Sequence, residues 1–379
     1  MIDISAIQSS LKIEEISYAP LAYERPRTAG KNARLGVHGR GGTLPVVRAR
    51  IGGLCGFGWC AVERERAESL IGLSTAELFG EDGSLKEEYY FMEFPLLDWL
   101  GQYKAMPVYK LFADVSGEYR VPVYDTSIYI DEPDGADDAE AVELLCGEVA
   151  QGMERGHRHF KVKVGRCGRW METEAGIRRD IAVVNAIRGT MGPDGALMAD
   201  ANNGYNLNLA KRFLEGARGA GLYWLEEAFH EDDELYRDLK NWMSAYGMKT
   251  LIADGEGDAS PRIVDWACGG IVDVIQFDLR HYGFHKWLTL SKRLDAAGVY
   301  SAPHNYGGYY GNFASAHIAG AIRNFAFGEW DEAAADGIDA SAYAVRDGYV
   351  YVPDAPGFGL TLDNRAFDKA VKEKGWSLR

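Results

Sequence analysis

The sequence predicts an α/β barrel of the (β/α)8 kind, formed by residues 121–334 and preceded by an α+β domain. Short apolar or β-branched runs recur eight times after Val121, and helix-forming stretches separate most of them. Strands alternating with helices in this way favour a parallel sheet closed into a barrel. A doubly wound open sheet is the alternative. However, no GxGxxG or GxxxxGK[ST] motif follows a strand, so its usual nucleotide-binding signal is missing.

The elements of the barrel follow from this alternation. Strands are predicted at 121–130, 159–165, 196–202, 223–229, 250–256, 272–279, 299–304 and 325–330. Helices are predicted between them at 137–154, 171–188, 207–218 and 284–297.

The N-terminal 120 residues have a mixed pattern. LPVVRARI (44–51) alternates as a strand does, whereas 23–42 is rich in Gly and Arg and predicts a long mobile loop. Residues 88–112 carry apolar side chains at helical spacing. Pro95 inside that run predicts either a kink or a late helix start.

Composition excludes several classes of function. With 41 basic and 56 acidic residues the chain carries a formal charge of −15, which disfavours binding to nucleic acids or anionic membranes. No apolar run reaches 18 residues, and the N-terminus lacks the basic start of a secretory signal, so we expect a cytoplasmic protein. If such an acidic chain handles a small anionic substrate, it needs a local positive centre.

Ionisable residues occur at the ends of seven of the eight predicted strands. In a barrel of this kind the active site lies at the C-terminal ends of the strands. Buried charges there are costly unless they are paired or bind a metal, so the pattern predicts an active site. Its candidate residues are Lys161, Lys163, Asp200, Glu226, Glu256, Asp278, His304 and Glu329.

The two lysines lie two residues apart on one predicted strand. They therefore face the same side, while Phe160 and Val162 face the other. We expect the apolar pair to face the helices and the lysines to face the barrel interior. Two like charges this close should depress the pKa of at least one ammonium, as a lysine base requires.

The next strands supply acidic groups and a histidine. Asp200, Glu226 and Glu256 come from three adjacent strands, and three carboxylates around one point fit a Mg²⁺ ion with positions left for water and substrate. Asp278 and His304 follow on the next two strands. A carboxylate beside an imidazole orients the ring and raises its pKa.

In this order, the motifs resemble the enolase superfamily, and within it the mandelate racemase-like subgroup. The matching segments are FKVKVG (160–165), ADANNGY (199–205), WLEEAF (224–229), IADGE (252–256), VIQFDLRHYG (274–283), SAPHNYG (301–307) and GEWDE (328–332). Residues 96–112 also resemble the helix that closes the family's capping domain. The resemblance implies a modified TIM barrel, (β/α)7β-like, with an α+β N-terminal capping domain of residues 1–120 that is joined by 335–379.

The resemblance also implies roles for the strand-end residues. The three carboxylates are the expected Mg²⁺ ligands, one ion per active site. Lys163 is the expected base, and Lys161 neutralises the substrate carboxylate beside it. His304 with Asp278 forms a dyad on the opposite face, and Glu329 contacts a carboxylate oxygen of the intermediate as a protonated acid.

Two features separate this chain from parts of the superfamily. The family usually has Pro after the paired glutamates, but here Glu226 and Glu227 are followed by Ala228 and Phe229, which alters the loop after that strand. Muconate-cycloisomerase-like and dipeptide-epimerase-like members usually carry a second lysine on the sixth strand. This chain has Asp278 there, so we discount those activities.

The expected reaction is dehydration of an acid sugar. Removal of the α-proton gives an enediolate, loss of a β-hydroxyl gives an enol, and the enol becomes a 2-keto-3-deoxy acid. The same residues are compatible with a racemase or epimerase and with a cycloisomerase acting on a sugar acid or lactone. A barrel that binds without catalysis, and a flavin or aldolase-type barrel with Lys163 as a Schiff base, are the alternatives from other classes.

Substrate contacts are expected from the capping segments and from the strand ends. The candidates are Tyr23, Arg25, Arg40, Asn202 and Tyr306. The resemblance further implies a homo-oligomer, either a dimer or an octamer.

Overall fold

The computed structural model describes residues 9–307 and 309–379, so residues 1–8 of the predicted cap lie outside it. The N-terminal part contains an antiparallel sheet in which β2 lies between β1 and β3. Its strands are β1 (Ile13–Ala29), β2 (Gly39–Ile51) and β3 (Leu54–Trp59). Its helices are α1 (Arg64–Glu68), α2 (Thr75–Leu78), α3 (Glu93–Lys104) and α4 (Val108–Phe112), with a 3-10 helix at Glu87–Met92.

The predicted mobile loop at 23–42 is wrong for most of its length, because β1 and β2 form one long hairpin there. Tyr23 pairs with Gly42, and only the stretch between the two strands turns. A β-carbon on Gly42 would lie 2.7 Å from the Tyr23 hydroxyl oxygen. The glycine therefore leaves room for the Tyr23 ring, a packing role that local sequence cannot distinguish from loop flexibility.

Helix α3 confirms the late start that Pro95 allows. A 3-10 helix precedes it, and Pro95 lies in the first turn of α3, where a missing N–H costs no intrahelical hydrogen bond. The indole of Trp99 donates a hydrogen bond to the Ile51 carbonyl (3.0 Å), which fixes α3 against the cap sheet.

The central part alternates strands and helices, and each of the eight predicted strands overlaps an observed one. The strands are β4 (Tyr119–Ile128), β5 (Phe160–Lys163), β6 (Leu197–Asp200), β7 (Trp224–Glu226), β8 (Leu251–Asp254), β9 (Val274–Ile275), β10 (Tyr300–Ser301) and β11 (Gly328–Trp330). The helices are α5 (Asp138–Glu154), α6 (Thr173–Met191), α7 (Leu207–Gly216), α8 (Asp233–Ala245), α9 (Ile263–Cys268), α10 (Leu279–Tyr282), α11 (Phe284–Ala297) and α12 (Tyr309–Ala319).

The barrel helices begin at polar caps and bury one face. Asp137, Asn206 and Asp232 accept hydrogen bonds from the first-turn N–H groups of α5, α7 and α8. In α6, Ile177 and Val184 are among the residues that form a buried stripe at helical spacing. Within the part of the chain that the structure describes, no helix has both the length and the apolar character needed to cross a membrane.

Strands β4 to β10 form one parallel path, and β11 pairs with β4 at its start. Between the two ends of this path, Ser301 donates a backbone hydrogen bond to Asn324 and accepts one from Ala326, both 2.9 Å. The molecule therefore has a TIM-barrel-type fold with an N-terminal cap. Parallel register places the ends of adjacent strands at one level, as shown by the pairs Lys163 with Asp200 and Asp200 with Glu226.

A small apolar cluster, separate from the main core, is formed by residues in or next to these strands. Its members are Tyr124, Met198, Trp224, Ala253, Val274, Ala302, Ala326 and Phe327. By contrast, Phe160 and Val162 of β5 belong to the main core, so alternation along β5 separates them from the lysines as predicted.

The C-terminal segment contacts both parts of the molecule. Its elements are β12 (Ala334–Ala335), β13 (Ile338–Asp339), β14 (Ala344–Arg346), β15 (Tyr349–Val352), β16 (Thr361–Leu362), α13 (Asn364–Lys374) and β17 (Trp376–Leu378). Strands β12 and β17 pair with β1 of the cap, whereas β15 pairs with β4. The domain boundaries, 1–120 with 335–379 against 121–334, stay a prediction.

Candidate active site

Three carboxylates meet at the ends of adjacent strands. Asp200 and Glu226 are the last residues of β6 and β7, and Glu256 lies two residues beyond β8. One oxygen from each lies within 4.8 Å of the others. Glu256 Oε2 is buried and has no hydrogen-bond partner among the described residues. An unsatisfied oxygen beside two other carboxylates is an arrangement that a hard cation would satisfy.

Glu226 is buried and accepts three hydrogen bonds. Its Oε1 accepts a hydrogen bond from Lys161 (2.6 Å), and its Oε2 accepts bonds from the Trp224 indole (3.1 Å) and the Gln276 amide (2.9 Å). Burial raises the pKa of this carboxyl to about 8, and the nearby Asp200 charge adds to the shift while Lys161 opposes it. The donors hold Glu226 in one orientation.

The two lysines pair with these carboxylates. Lys163 donates to Asp200, and Lys161 lies 2.6 Å from Glu226 and 3.1 Å from Glu329. The expected depression of a lysine pKa is not found. Burial, the largest single influence, and Lys161 lower the pKa of Lys163, but the carboxylates of Asp200, Glu256 and Glu226 together outweigh them, so the net shift is upward. The sequence pattern showed the like charge but not how close the opposite charge lies.

His304 and Asp278 form the predicted pair. His304 Nδ1 lies 3.1 Å from Asp278 Oδ2, and Nε2 faces Glu256 at 3.4 Å and Glu329 at 3.8 Å. Burial disfavours the imidazolium, but the carboxylates of Glu256, Glu329 and Asp278 together raise the pKa of His304 to about 9. Lys163 thus contacts the acidic triad at Asp200, and His304 contacts it at Glu256.

Glu329 lies between the lysine and the histidine. Its Oε1 accepts from the Thr126 hydroxyl (2.6 Å), and its Oε2 accepts from the Asn305 backbone N–H (2.6 Å). Although burial opposes ionisation, Lys161 and His304 hold the pKa of Glu329 well below its usual range. Without a bound substrate these contacts favour the ionised form of Glu329, and its role as a protonated acid toward the intermediate stays a prediction.

The cap-side wall of the site is formed by aromatic side chains and a neutralised cation. The Arg25 guanidinium makes two hydrogen bonds to Asp331, Nε to Oδ1 at 2.7 Å and Nη2 to Oδ2 at 2.6 Å, and both residues are buried. It lies over the rings of Tyr23 (5.2 Å) and Tyr306 (4.7 Å). The His38 ring packs against Tyr306, with centroids 5.3 Å apart.

The remaining predicted contact residues differ in exposure. Arg40 is largely exposed and donates from Nε to the Arg25 carbonyl (3.0 Å). Asn202 is buried in a left-handed conformation (φ 41°), donates from Nδ2 to Glu227 (2.8 Å), and leaves its buried Oδ1 without a partner among the described residues. A cavity of about 550 Å³ beside it is lined by Glu256 and by Asn32 of the cap.

Several residues of the site were not predicted from the sequence. Trp224 and Gln276 each lie two residues before a predicted site residue, so strand alternation could have identified both. Thr126 carries no such signal, because its role depends on β11 lying beside β4. His38 is one of several possible donors in the segment 23–42, and local sequence does not distinguish it from its neighbours. His38 is held by a hydrogen bond from Nδ1 to the Gly30 carbonyl (2.7 Å).

Comparisons with known proteins identify the family of the chain. The model of a family described as Enolase C-terminal domain-like matches residues 145–366. The arabinonate dehydratase of Saccharolobus solfataricus is 26% identical over 286 residues, which are 72% of this chain and 69% of that protein. The D-galactarolactone cycloisomerase of Agrobacterium fabrum is 26% identical over 251 residues, 61% of each chain.

A solved structure extends the likeness to nearly the full length. The galacturonate dehydratase from Geobacillus sp., in complex with D-galacturonate and 5-keto-4-deoxy-D-galacturonate, is 47% identical. The match covers 98% of this chain and 100% of that one, with a TM-score of 0.95. The family match covers more than half of the chain. The chain therefore belongs to the enolase C-terminal domain-like family, within the enolase superfamily.

Proposed function

We propose that the protein is a Mg²⁺-dependent acid-sugar dehydratase, a hydro-lyase that converts a sugar acid into a 2-keto-3-deoxy acid. One observation carries the proposal: a triad of carboxylates lies between Lys163, at the Asp200 end, and His304, at the Glu256 end. A substrate carboxylate at the triad would have a basic group on either side of its α-carbon. That is the arrangement required to remove an α-proton and protonate a β-hydroxyl.

Asp200, Glu226 and Glu256 would hold the Mg²⁺ ion. Their donor set is three hard oxygens, and Glu256 Oε2, which accepts no hydrogen bond among the described residues, is available to a cation. When bound, the ion compensates the Asp200 charge that keeps the proton on Lys163 and stabilises the negative charge that develops on the substrate carboxylate.

The chain's own residues then divide the proton transfers. Lys163 Nζ takes the α-proton, and Lys161 stabilises the charge gained by the substrate carboxylate. His304 carries a proton on Nδ1, because its partner Asp278 accepts only. Nε2 faces two carboxylates and so holds a second proton, which it donates to the departing hydroxyl. The C–O bond breaks, water leaves, and the enol becomes a keto acid.

The cap-side wall supports a substrate with one carboxylate. Arg25, the buried cation of this wall, is already neutralised by Asp331 and so offers less attraction to a second carboxylate. Uronates such as D-galacturonate, on which the Geobacillus enzyme is named to act, are the first candidates. Tyr23, Arg25, Arg40, Asn202 and Tyr306 are the proposed hydroxyl contacts.

A cycloisomerase is the second candidate. It is favoured by the similarity to the D-galactarolactone cycloisomerase, whose reaction type the same lysine and histidine could serve. Racemisation or epimerisation would follow if the histidine returned a proton to the α-carbon.

The test is a screen of uronates, aldonates, aldarates and their lactones with Mg²⁺, in which 2-keto acid formation is measured. We expect 2-keto acid from at least one uronate and none after chelation of the metal. Ring-opened product without 2-keto acid would favour the cycloisomerase, and return of an epimer would favour the epimerase. No conversion of any substrate would contradict an enediolate mechanism.

Three further features belong to this proposal. The strands β4 to β11 form a (β/α)7β-like modified barrel, and residues 1–120 with 335–379 form its cap. The protein works in the cytoplasm. It assembles as a homodimer or octamer, which sedimentation analysis would distinguish from a monomer.

A further inference from the structure

The carboxylate that holds His304 collects donors from three residues. Asp278 Oδ1 accepts from the backbone N–H groups of Arg280 and His281 (both 3.0 Å) and faces Nδ1 of His281 at 2.9 Å. Asp278 Oδ2 faces His304 Nδ1 at 3.1 Å and accepts from Arg280 Nη2 at 3.2 Å. Asp278 Oδ2 therefore contacts both the His304 ring, which it orients, and one nitrogen of the Arg280 guanidinium.

Arg280 also holds the segment that carries the histidine. The same Nη2 donates to the backbone carbonyl of Tyr306 at 2.8 Å, two residues beyond His304. The guanidinium thus joins the end of β9, through Asp278, to the loop after β10. A single planar group with fixed donor directions sets the distance between the carboxylate and the histidine loop.

The cap covers this connection. The Arg280 guanidinium lies 5.7 Å from the ring centre of Trp59, the last residue of β3, and its side chain is only 8% exposed. The ring of His281 packs against the same indole at 5.4 Å, but its side chain is 70% exposed. The contact of Arg280 with Asp278 is therefore shielded from solvent, whereas that of His281 faces solvent.

We propose that Arg280 is a positioning residue for the Asp278–His304 pair and serves the step in which His304 donates a proton to the leaving hydroxyl. Arg280 reaches the reaction through Asp278 Oδ2 and the Tyr306 carbonyl and does not touch the triad. This inference rests on the proposed dehydratase function. Because Lys163 lies at the opposite end of the triad, loss of Arg280 leaves α-proton removal largely intact.

The test compares Arg280→Met with His281→Leu, which removes a donor from the other oxygen of the same carboxylate. Misplacing a catalytic group by about 1 Å costs on the order of 100-fold, so we expect Arg280→Met to lower dehydration kcat by roughly 30- to 100-fold with KM within about threefold. Exchange of the α-proton in D₂O stays within about threefold of wild type. His281→Leu and the exposed control Arg293→Met each stay within about twofold.

Two further measurements separate positioning from general damage. Guanidinium chloride at millimolar concentration should restore dehydration by Arg280→Met at least about fivefold, and should not restore His304→Asn. In ¹⁵N-histidine-labelled protein without substrate, the downfield His304 Nδ1–H resonance should shift or broaden in Arg280→Met and persist in His281→Leu. Arg280→Lys keeps the charge but not the planar guanidinium, so its dehydration kcat should lie between those of wild type and Arg280→Met.

The inference is overturned if the His304 resonance is unchanged in Arg280→Met. It is also overturned if exchange and dehydration fall together without rescue, or if His281→Leu loses as much activity as Arg280→Met. Failure of the proposed function has a different signature, since wild type would then form no 2-keto acid from any sugar acid. In that case the resonance measurement still decides whether Arg280 positions the pair.

Discussion

The floor of the site and its cap-side wall both carry buried charges, but the charges are paired differently. The floor consists of the strand-end residues Lys161, Lys163, Asp200, Glu226, Glu256, His304 and Glu329. On the floor, Lys161 contacts three carboxylates within 3.6 Å, and Glu256 keeps an oxygen that accepts no hydrogen bond among the described residues. On the wall, Arg25 is matched by Asp331 with two hydrogen bonds. The floor can therefore exchange partners when a cation and an anion bind, whereas the wall is already satisfied.

This difference indicates that the floor supplies the reactive groups, whereas the wall stabilises the shape of the site. A buried charge with several competing partners changes its protonation when one partner is removed, and groups of that kind occur at catalytic centres. A buried pair with ideal geometry resists change, because removing one partner leaves the other uncompensated. We therefore expect floor substitutions to affect the reaction and the Arg25–Asp331 pair to affect folding.

Among the single substitutions that compare floor and wall, we expect Glu256→Gln to have a large effect. Glu256 Oε2 accepts no hydrogen bond among the described residues, and its contact with His304 Nε2 is long at 3.4 Å, so the metal-free melting temperature should stay within a few degrees of wild type. Loss of a ligand charge should lower activity by about 10³-fold and remove most of the melting-temperature rise that Mg²⁺ gives the wild type. Calorimetric scans with and without Mg²⁺ measure both. An equal Mg²⁺-dependent rise in the variant would show that the triad does not hold the ion.

Arg25→Met tests the wall. It leaves Asp331 buried and unpaired, which should lower the free energy of unfolding by about 3–5 kcal/mol. Urea titration measures this loss, and Arg25→Met with Asp331→Asn should recover part of it. If stability is unchanged while KM rises, Arg25 binds substrate instead and the wall is not a closed pair.

Thr126→Val tests how firmly Glu329 is oriented on the floor of the site. The threonine hydroxyl donates to Glu329 at 2.6 Å, and a hydrogen bond to a charged group is worth about 1.5–3 kcal/mol. We expect kcat to fall by about tenfold with KM little changed, because Glu329 keeps Lys161 and the Asn305 N–H but loses part of its orientation. Steady-state kinetics measure kcat and KM separately. A rise in KM alone would place Thr126 in substrate binding.

The smallest effect is expected from Arg40→Ala. Its side chain is exposed, and its ion pair with Glu24 is long at 3.6 Å, so stability should change by less than about 0.5 kcal/mol. A kcat/KM within about twofold of wild type would leave Arg40 outside the site. A drop of more than about fivefold, carried by KM, would support the predicted contact with a substrate hydroxyl.

The floor was predictable from sequence because its residues lie at the ends of regular strands. Alternation fixes the direction of Lys161 and Lys163, and parallel register brings Asp200 and Glu226 together, so periodicity alone carries most of the geometry. The ionisation states were not predictable in the same way. The pKa of Lys163 depends on an Asp200 contact that only the folded chain creates.

The wall was less predictable because it depends on approach between distant segments. Arg25 and Asp331 are 306 residues apart, so no local pattern indicates that the two charges cancel. The Gly-rich segment around Gly42 belongs to a hairpin strand because it packs against Tyr23, a contact that local composition does not show. Arg280 lies on the floor side, yet its role also depends on Trp59 of the cap.

The central claim is that Lys163 and His304 act on opposite sides of one bound sugar acid. Its most direct test follows the α-proton by NMR in D₂O with Mg²⁺ and a uronate that wild type dehydrates. Lys163→Met should lose both α-exchange and 2-keto acid, each by at least about 10³-fold. His304→Asn should lose the 2-keto acid and keep α-exchange. If Lys163→Met still exchanges the α-proton while His304→Asn does not, the histidine is the abstracting base and the division of roles is contradicted.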